Sequence, residues 1–140
     1  IELAHGIIRD AEGATKFIAV KVNGGDCQED CLAIAYSIAN SPLMKTALFA
    51  SDANWGRIVM AIGKAGVDID INKLDVYIGD VQLLQNGQKH HGYKEEAGAE
   101  VVAKEEIQIS VCLHSGDYEE TVWTSDLSHE YVRINAEYRT

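Results

Sequence analysis

The chain reads as an α+β protein: a mixed sheet with antiparallel hairpins and helices packed against it, in a two-layer sandwich. Three observations predict this. Ile107, Ile109, Val111 and Leu113 alternate with Gln108, Ser110 and Cys112, the period-two signature of a strand with one wet face. Gly79-Asp80 stands between two short apolar runs, as the loop of a two-residue hairpin does. Cys31, Ile34, Ala35 and Ile38 recur at helical spacing and so share one buried face. Strands and helices interleave without repeats or an interdomain linker, and hairpins join some of the strands, which favours α+β over a doubly wound sheet.

Taken in order, Lys16 to Val22 is alternating and β-branched, a strand that Asn23-Gly24-Gly25 should end in a turn. Asp26 stands as an N-cap with Glu29 as its capping-box partner, and the helix they open stops at Ser41-Pro42, because a residue before proline avoids the helical region. Leu43 to Ala50 is a short apolar stretch read as a strand. Asp52-Ala53-Asn54 offers polar caps to a second helix carrying Ile58, Ile62 and Ala65, ended by Gly66. Leu74 to Ile78 and Val81 to Gln85 are the arms of the hairpin, which Asn86-Gly87 closes, and His90-His91-Gly92 falls in the loop beyond. Tyr93 to Glu106 has the Glu, Ala and Lys content of a helix, with Val101 and Val102 for the core. Ser115-Gly116-Asp117 turns the chain so that Glu119 to Ser125 pairs back antiparallel, before the polar tail His129 to Thr140.

A length of 140 residues with 46% hydrophobic content gives one domain with its own core, residues 1–140. Twelve basic against 22 acidic side chains give a net charge of −10, which repels polyanions and argues against nucleic acid and anionic membrane surfaces as partners. Cys27, Cys31 and Cys112 have the spacing of neither a disulfide framework nor a zinc site, so a reducing compartment is the simpler reading and the cysteines read as small core residues. No apolar run reaches the roughly 20 residues a membrane-spanning helix needs. A soluble, cytoplasmic protein is the expectation. Ile1 is not an initiator methionine and Glu2-Leu3-Ala4 reads as the interior of an element, so a piece of a longer protein is expected.

Familiar site patterns are weak. No glycine-rich run matches a dinucleotide or phosphate loop, and adjacent His90 and His91 diverge on any regular element, without a carboxylate or cysteine pair to complete a metal site. His5, His114 and His129 are scattered, and a serine beside one of them does not make a triad. Two stretches stand out. Arg9-Asp10-Ala11-Glu12-Gly13-Ala14-Thr15-Lys16 concentrates charge at the mouth of a strand, where loops often build sites. Asp52-Ala53-Asn54-Trp55-Gly56-Arg57 puts an aromatic ring and a guanidinium at a helix start, as a site or as a packed corner.

Those two stretches, together with Ile38-Ala39-Asn40-Ser41-Pro42-Leu43-Met44-Lys45-Thr46-Ala47 and the terminal Val132-Arg133-Ile134-Asn135-Ala136-Glu137-Tyr138-Arg139-Thr140, closely resemble the ornithine acetyltransferase / glutamate N-acetyltransferase family, in the family's order. Ala53 is one departure, since the family commonly has proline there. The resemblance places the chain in the C-terminal part of a β chain. It implies a precursor that cuts itself before a threonine, which then carries an acetyl group from N2-acetylornithine to glutamate. Some members also accept acetyl-CoA as a substrate, and no cofactor is implied. That threonine lies upstream of the segment matching Ile1, so no catalytic residue is expected in this chain and the chain alone should be inactive. The implied substrate-binding residues are Glu12, Asn135 and Thr140: a carboxylate for an ammonium, an amide that donates and accepts, and a hydroxyl. The implied partners are the α chain and the remainder of the β chain, in an αβ heterodimer that pairs further into a heterotetramer. The apolar and aromatic residues Tyr131, Val132, Ile134 and Tyr138 predict a tail that docks rather than frays. The alternatives are a non-catalytic amino-acid-binding or regulatory domain, and a structural oligomerisation domain.

Overall fold

The computed structural model of the chain describes residues 16–126. Strand β1 (Phe17–Gly25) is followed by helices α1 (Gln28–Ala39), α2 (Pro42–Phe49) and α3 (Trp55–Lys64), then a short 3-10 turn, Ile71–Lys73. Strands β2 (Asp75–Ile78), β3 (Val81–Gln85) and β4 (Gln88–Lys89) form a meander, and α4 (Glu95–Val102) leads to β5 (Glu106–Cys112) and β6 (Tyr118–Ser125). The strands make one six-stranded sheet in the order β4-β3-β2-β5-β1-β6. Among the described residues only β1 and β5 run parallel, and every other pair is antiparallel. The expected α+β class and mixed sheet are therefore present.

The core forms where strand and helix periods agree. Ile18, Val20 and Val22 of β1 and Ile107, Ile109 and Val111 of β5 point to one face and are buried, because alternate side chains of a strand share a side. Parallel register sets Val20 beside Ile109, and antiparallel register sets it beside Val122. Cys31, Ile34, Ala35 and Ile38 of α1 join the same core, with Cys31 fully buried as expected, whereas Cys27 and Cys112, also read as core residues, are only partly buried.

Several local expectations are corrected. Leu43 to Ala50 is helical, not extended: Met44, Ala47 and Leu48 are its buried residues, at helical spacing. Pro42, read as a stop for α1, occupies the first turn of α2, where its missing N–H costs nothing, and Ser41 caps that helix by accepting from the Met44 N–H at 3.2 Å. Asp26 does not cap α1. Cys27 does, with no side-chain cap bond, because β1 continues through Gly24 and Gly25 instead of turning at Asn23. Gly24 makes that continuation possible: its φ is +75°, and a Cβ there would lie 2.6 Å from the His114 main-chain nitrogen.

The helix expected over Tyr93 to Glu106 covers only Glu95–Val102, since Glu106 already belongs to β5. Asn86-Gly87 does more than close β3. Both residues have positive φ (51° and 78°), and they link β3 to β4 in a second hairpin with Gln85 opposite Gln88. Finally, β6 pairs antiparallel with β1 rather than with the preceding β5. The connection crosses the end of β1, where the N–H groups of Ser115 and Gly116 donate to the Gly24 carbonyl at 2.8 and 2.7 Å.

Candidate functional site

The three expected substrate contacts, Glu12, Asn135 and Thr140, lie outside the described residues, as does the tail predicted to dock. The structure describes the two ends of the chain that lies between them. β1 begins at Phe17 opposite Ser125, where β6 ends. One residue further out, the Lys16 N–H donates to Asp126 Oδ1 at 3.0 Å, and the Asp126 N–H returns a bond to the Lys16 carbonyl at 3.3 Å. Antiparallel pairing thus sets Lys16 and Asp126, the first and last described residues, at the same end of the sheet on neighbouring strands.

Lys16 anchors that end of the sheet. Its ammonium donates to the Leu48 carbonyl, to the Val102 carbonyl at 2.6 Å and to Ser51 Oγ at 3.0 Å. Leu48 and Val102 belong to the last turns of α2 and α4, whose negative dipole ends suit a cation. Burial pushes the Lys16 ammonium below its ordinary pKa, and the Asp126 carboxylate opposes that shift. The same two causes, in the same order, lower Lys45. Asp126 is only 1% exposed, so one buried carboxylate faces the fields of two lysines.

Beside this anchor is a recess of about 420 Å³, walled by Ser51, Asp52, Trp55, Tyr93 and Glu95. Ser51 belongs both to it and to the Lys16 cluster. Burial raises the Tyr93 phenol above its ordinary pKa, and the negative charges of Glu95, Asp52 and Glu96 add to the effect. The polar residues of the neighbouring motif serve the helix start. Asn54 Oδ1 accepts from the Arg57 N–H at 3.1 Å as the N-cap of α3, its amide donates to Asp52 Oδ2 at 3.1 Å, and Arg57 Nη1 donates to the Leu43 carbonyl at 2.8 Å. Asn54 and Arg57 are thus a packed corner, while Trp55 faces the recess.

The histidines have local partners. His90 Nδ1 lies 3.0 Å from Gln85 Oε1, and its ring is 5.0 Å from that of His91. His114 Nε2 lies 2.8 Å from Asp75 Oδ2, whereas the neighbouring Ser115 hydroxyl donates to the Leu113 carbonyl, so the two do not form a nucleophile and base. Among the described residues no three His, Cys, Asp or Glu side chains group as metal ligands, and no helix is long and apolar enough to cross a membrane. Reading the sequence missed the Lys16 and Asp126 roles. Lys16 was visible as the last charge of a motif, but its acceptors are 32, 35 and 86 positions away.

Comparison with known proteins gives one consistent result. The whole chain, residues 1–140, matches the ArgJ family. It is 56% identical to the arginine biosynthesis bifunctional protein ArgJ of Pseudomonas syringae pv. tomato and 55% identical to that of Pseudomonas fluorescens, in each case over 100% of this chain and 35% of the relative. The crystal structure of the ArgJ protein of Bacillus halodurans superposes with a TM-score of 0.92 at 40% identity, covering 98% of this chain and 64% of that one. The chain therefore spans about a third of the length of the curated relatives it matches. With the family match over residues 1–140 and the shared fold in agreement, the chain belongs to the ArgJ family.

Proposed function

We propose that this chain is the substrate-positioning, C-terminal part of the β subunit of a glutamate N-acetyltransferase, an acyltransferase of arginine biosynthesis. The observation that carries the reading is the unbroken match to the ArgJ family over residues 1–140. In the proposed reaction a threonine hydroxyl from the upstream part of the β chain attacks the acetyl carbonyl of N2-acetylornithine. The amide C–N bond breaks, the departing amine takes a proton, and ornithine leaves an acetyl-threonine ester behind. The amine of glutamate then attacks that ester, forming N-acetylglutamate and restoring the hydroxyl.

Glu12 pairs with the side-chain ammonium of ornithine, and Asn135 and Thr140 hold the rest of the substrate through an amide and a hydroxyl. These groups act by orientation, not by covalent chemistry. The partners are the α chain and the remainder of the β chain, in a cytoplasmic αβ heterodimer that pairs further.

The test is an acetyl-transfer assay on the full-length protein with N2-acetylornithine and glutamate, run with and without acetyl-CoA. Transfer from N2-acetylornithine, trapped as an acetylated threonine when glutamate is withheld, is the expected result. No transfer from either donor would overturn the proposal. If the 140 residues alone bind ornithine or glutamate with the affinity of the full-length protein, a self-contained binding domain becomes the better reading.

A further inference from the structure

We propose that the groove between the end of α1, the start of α2 and the end of α3 is where the remainder of the β chain packs on this domain. The inference rests on the reading of the chain as part of a longer β subunit. Ala33 and Tyr36 of α1, Leu43 of α2 and Ala65 after α3 line this groove, which encloses about 460 Å³. Tyr36 is 51% exposed and Leu43 48%, and Met60, one turn before the lining Lys64 on α3, is 54% exposed. Lone apolar side chains at a surface are ordinary, but large ones gathered round one groove mark an interaction face. Tyrosine and methionine are also residue types that interfaces favour, and Lys64 is the groove's one charged residue among those described.

The groove is formed before anything fills it. The Ser37 hydroxyl donates to the Ala61 carbonyl, joining α1 to α3, and Arg57 Nη1 donates to the Leu43 carbonyl, joining α3 to the start of α2. Walls held in this way present their apolar residues at fixed positions. The other side of the sheet differs, since β5 turns Gln108 and Ser110 outward, a face suited to water. Size and connectivity then identify the occupant. Three exposed side chains are too few for two free proteins to associate on, because a specific interface buries on the order of 1,000 Å² or more. A covalently joined segment needs less, as its effective concentration is on the order of millimolar. In the solved ArgJ chain that holds this fold, about a third has no counterpart here. That tethered third is the partner the groove fits.

The experiment places the photo-cross-linker p-benzoylphenylalanine at Tyr36, at Met60 or at Lys64 in the full-length protein, with Gln108 as the control position, and maps the products by peptide mass spectrometry. Cross-links from a groove position to the remainder of the β chain, without a gain in mass on a denaturing gel, are the expected result. Cross-links to the α chain or to a second β chain, products confined to residues 1–140, or no product from any groove position would overturn the proposal. Equal cross-linking of the same segment from Gln108 would overturn it too. Lys64 is exposed, so the test survives if a substitution at Tyr36 or Met60 prevents folding. As a second readout, Met60→Gln should lower the Tm of the full-length protein by a few degrees, because a covered methionine loses packing whereas a wet one tolerates the change. An unchanged Tm counts against the proposal. Failure of the functional reading is seen separately: without self-cleavage or acetyl transfer that reading falls, while a cross-link within one polypeptide still reports the packing.

Discussion

The main-chain N–H of Lys16 donates to the Asp126 carboxylate at 3.0 Å, joining residues 110 positions apart and closing the last rung between the strands that begin and end the described chain. Asp126 is almost wholly buried, and Lys16 and Lys45 both feel its charge. Asp126→Ala should remove a bonded carboxylate and leave two partly desolvated ammonium groups uncompensated. A loss of about 2–4 kcal/mol in urea denaturation is expected, discounted from the fully buried case because the lysines are only half-buried. Asp126→Asn, which still accepts from the Lys16 N–H, should lose less.

Gly24→Ala should destabilise by about 2 kcal/mol or more, since alanine is strained at a φ of +75° and its Cβ would meet the His114 backbone. The end of β1 and the turn over it should loosen together. Hydrogen exchange would show this as faster exchange of the Ser115 and Gly116 amides, which bond to the Gly24 carbonyl.

Asn54→Ala should cost about 1–2 kcal/mol in denaturant unfolding, because the side chain caps α3 and also holds Asp52. Asn54→Ser, which restores an N-cap acceptor, should recover most of that loss; no recovery would show that the Asp52 contact dominates.

Alkaline pH should bring out Cys31. Burial raises its thiol pKa above the ordinary value of 9.0, so the folded protein keeps a proton that the unfolded chain releases first. The stability held by that proton is fully present below pH 9 and is lost as pH rises through the higher folded value. Cys31→Ala should therefore flatten the decline in Tm above pH 9. Native Cys31 should also react slowly with alkylating reagents, as the thiolate is the reactive form.

The fold was legible wherever local pattern and final environment agreed. The alternation of Ile107, Ile109 and Val111 survives because one face of β5 is buried in the core, and Gly79-Asp80 marks its hairpin because the turn is fixed by its own two residues. Pro42 misled because the same fixed φ and missing N–H that end one helix also suit the start of the next. The partner of β6 could not be read from the sequence, since either β5 or β1 satisfies the alternation and the choice depends on a chain crossing. In the candidate site, Lys16 was visible only as a charge before a strand. Its meaning comes from the carbonyls of Leu48 and Val102, which no short-range pattern announces.

The position of β1 has a consequence for biosynthesis. It is the first strand of the described chain, yet both strands that flank it come from the last quarter of that region, with Phe17 opposite Glu106 on one side and Ser125 on the other. As the chain emerges from the ribosome, β1 must wait through roughly 90 residues with both hydrogen-bonding edges open. Such distant pairings fold slowly, and unpaired edges recruit other chains. Polypeptides truncated before Glu106 should consequently aggregate rather than accumulate as soluble intermediates.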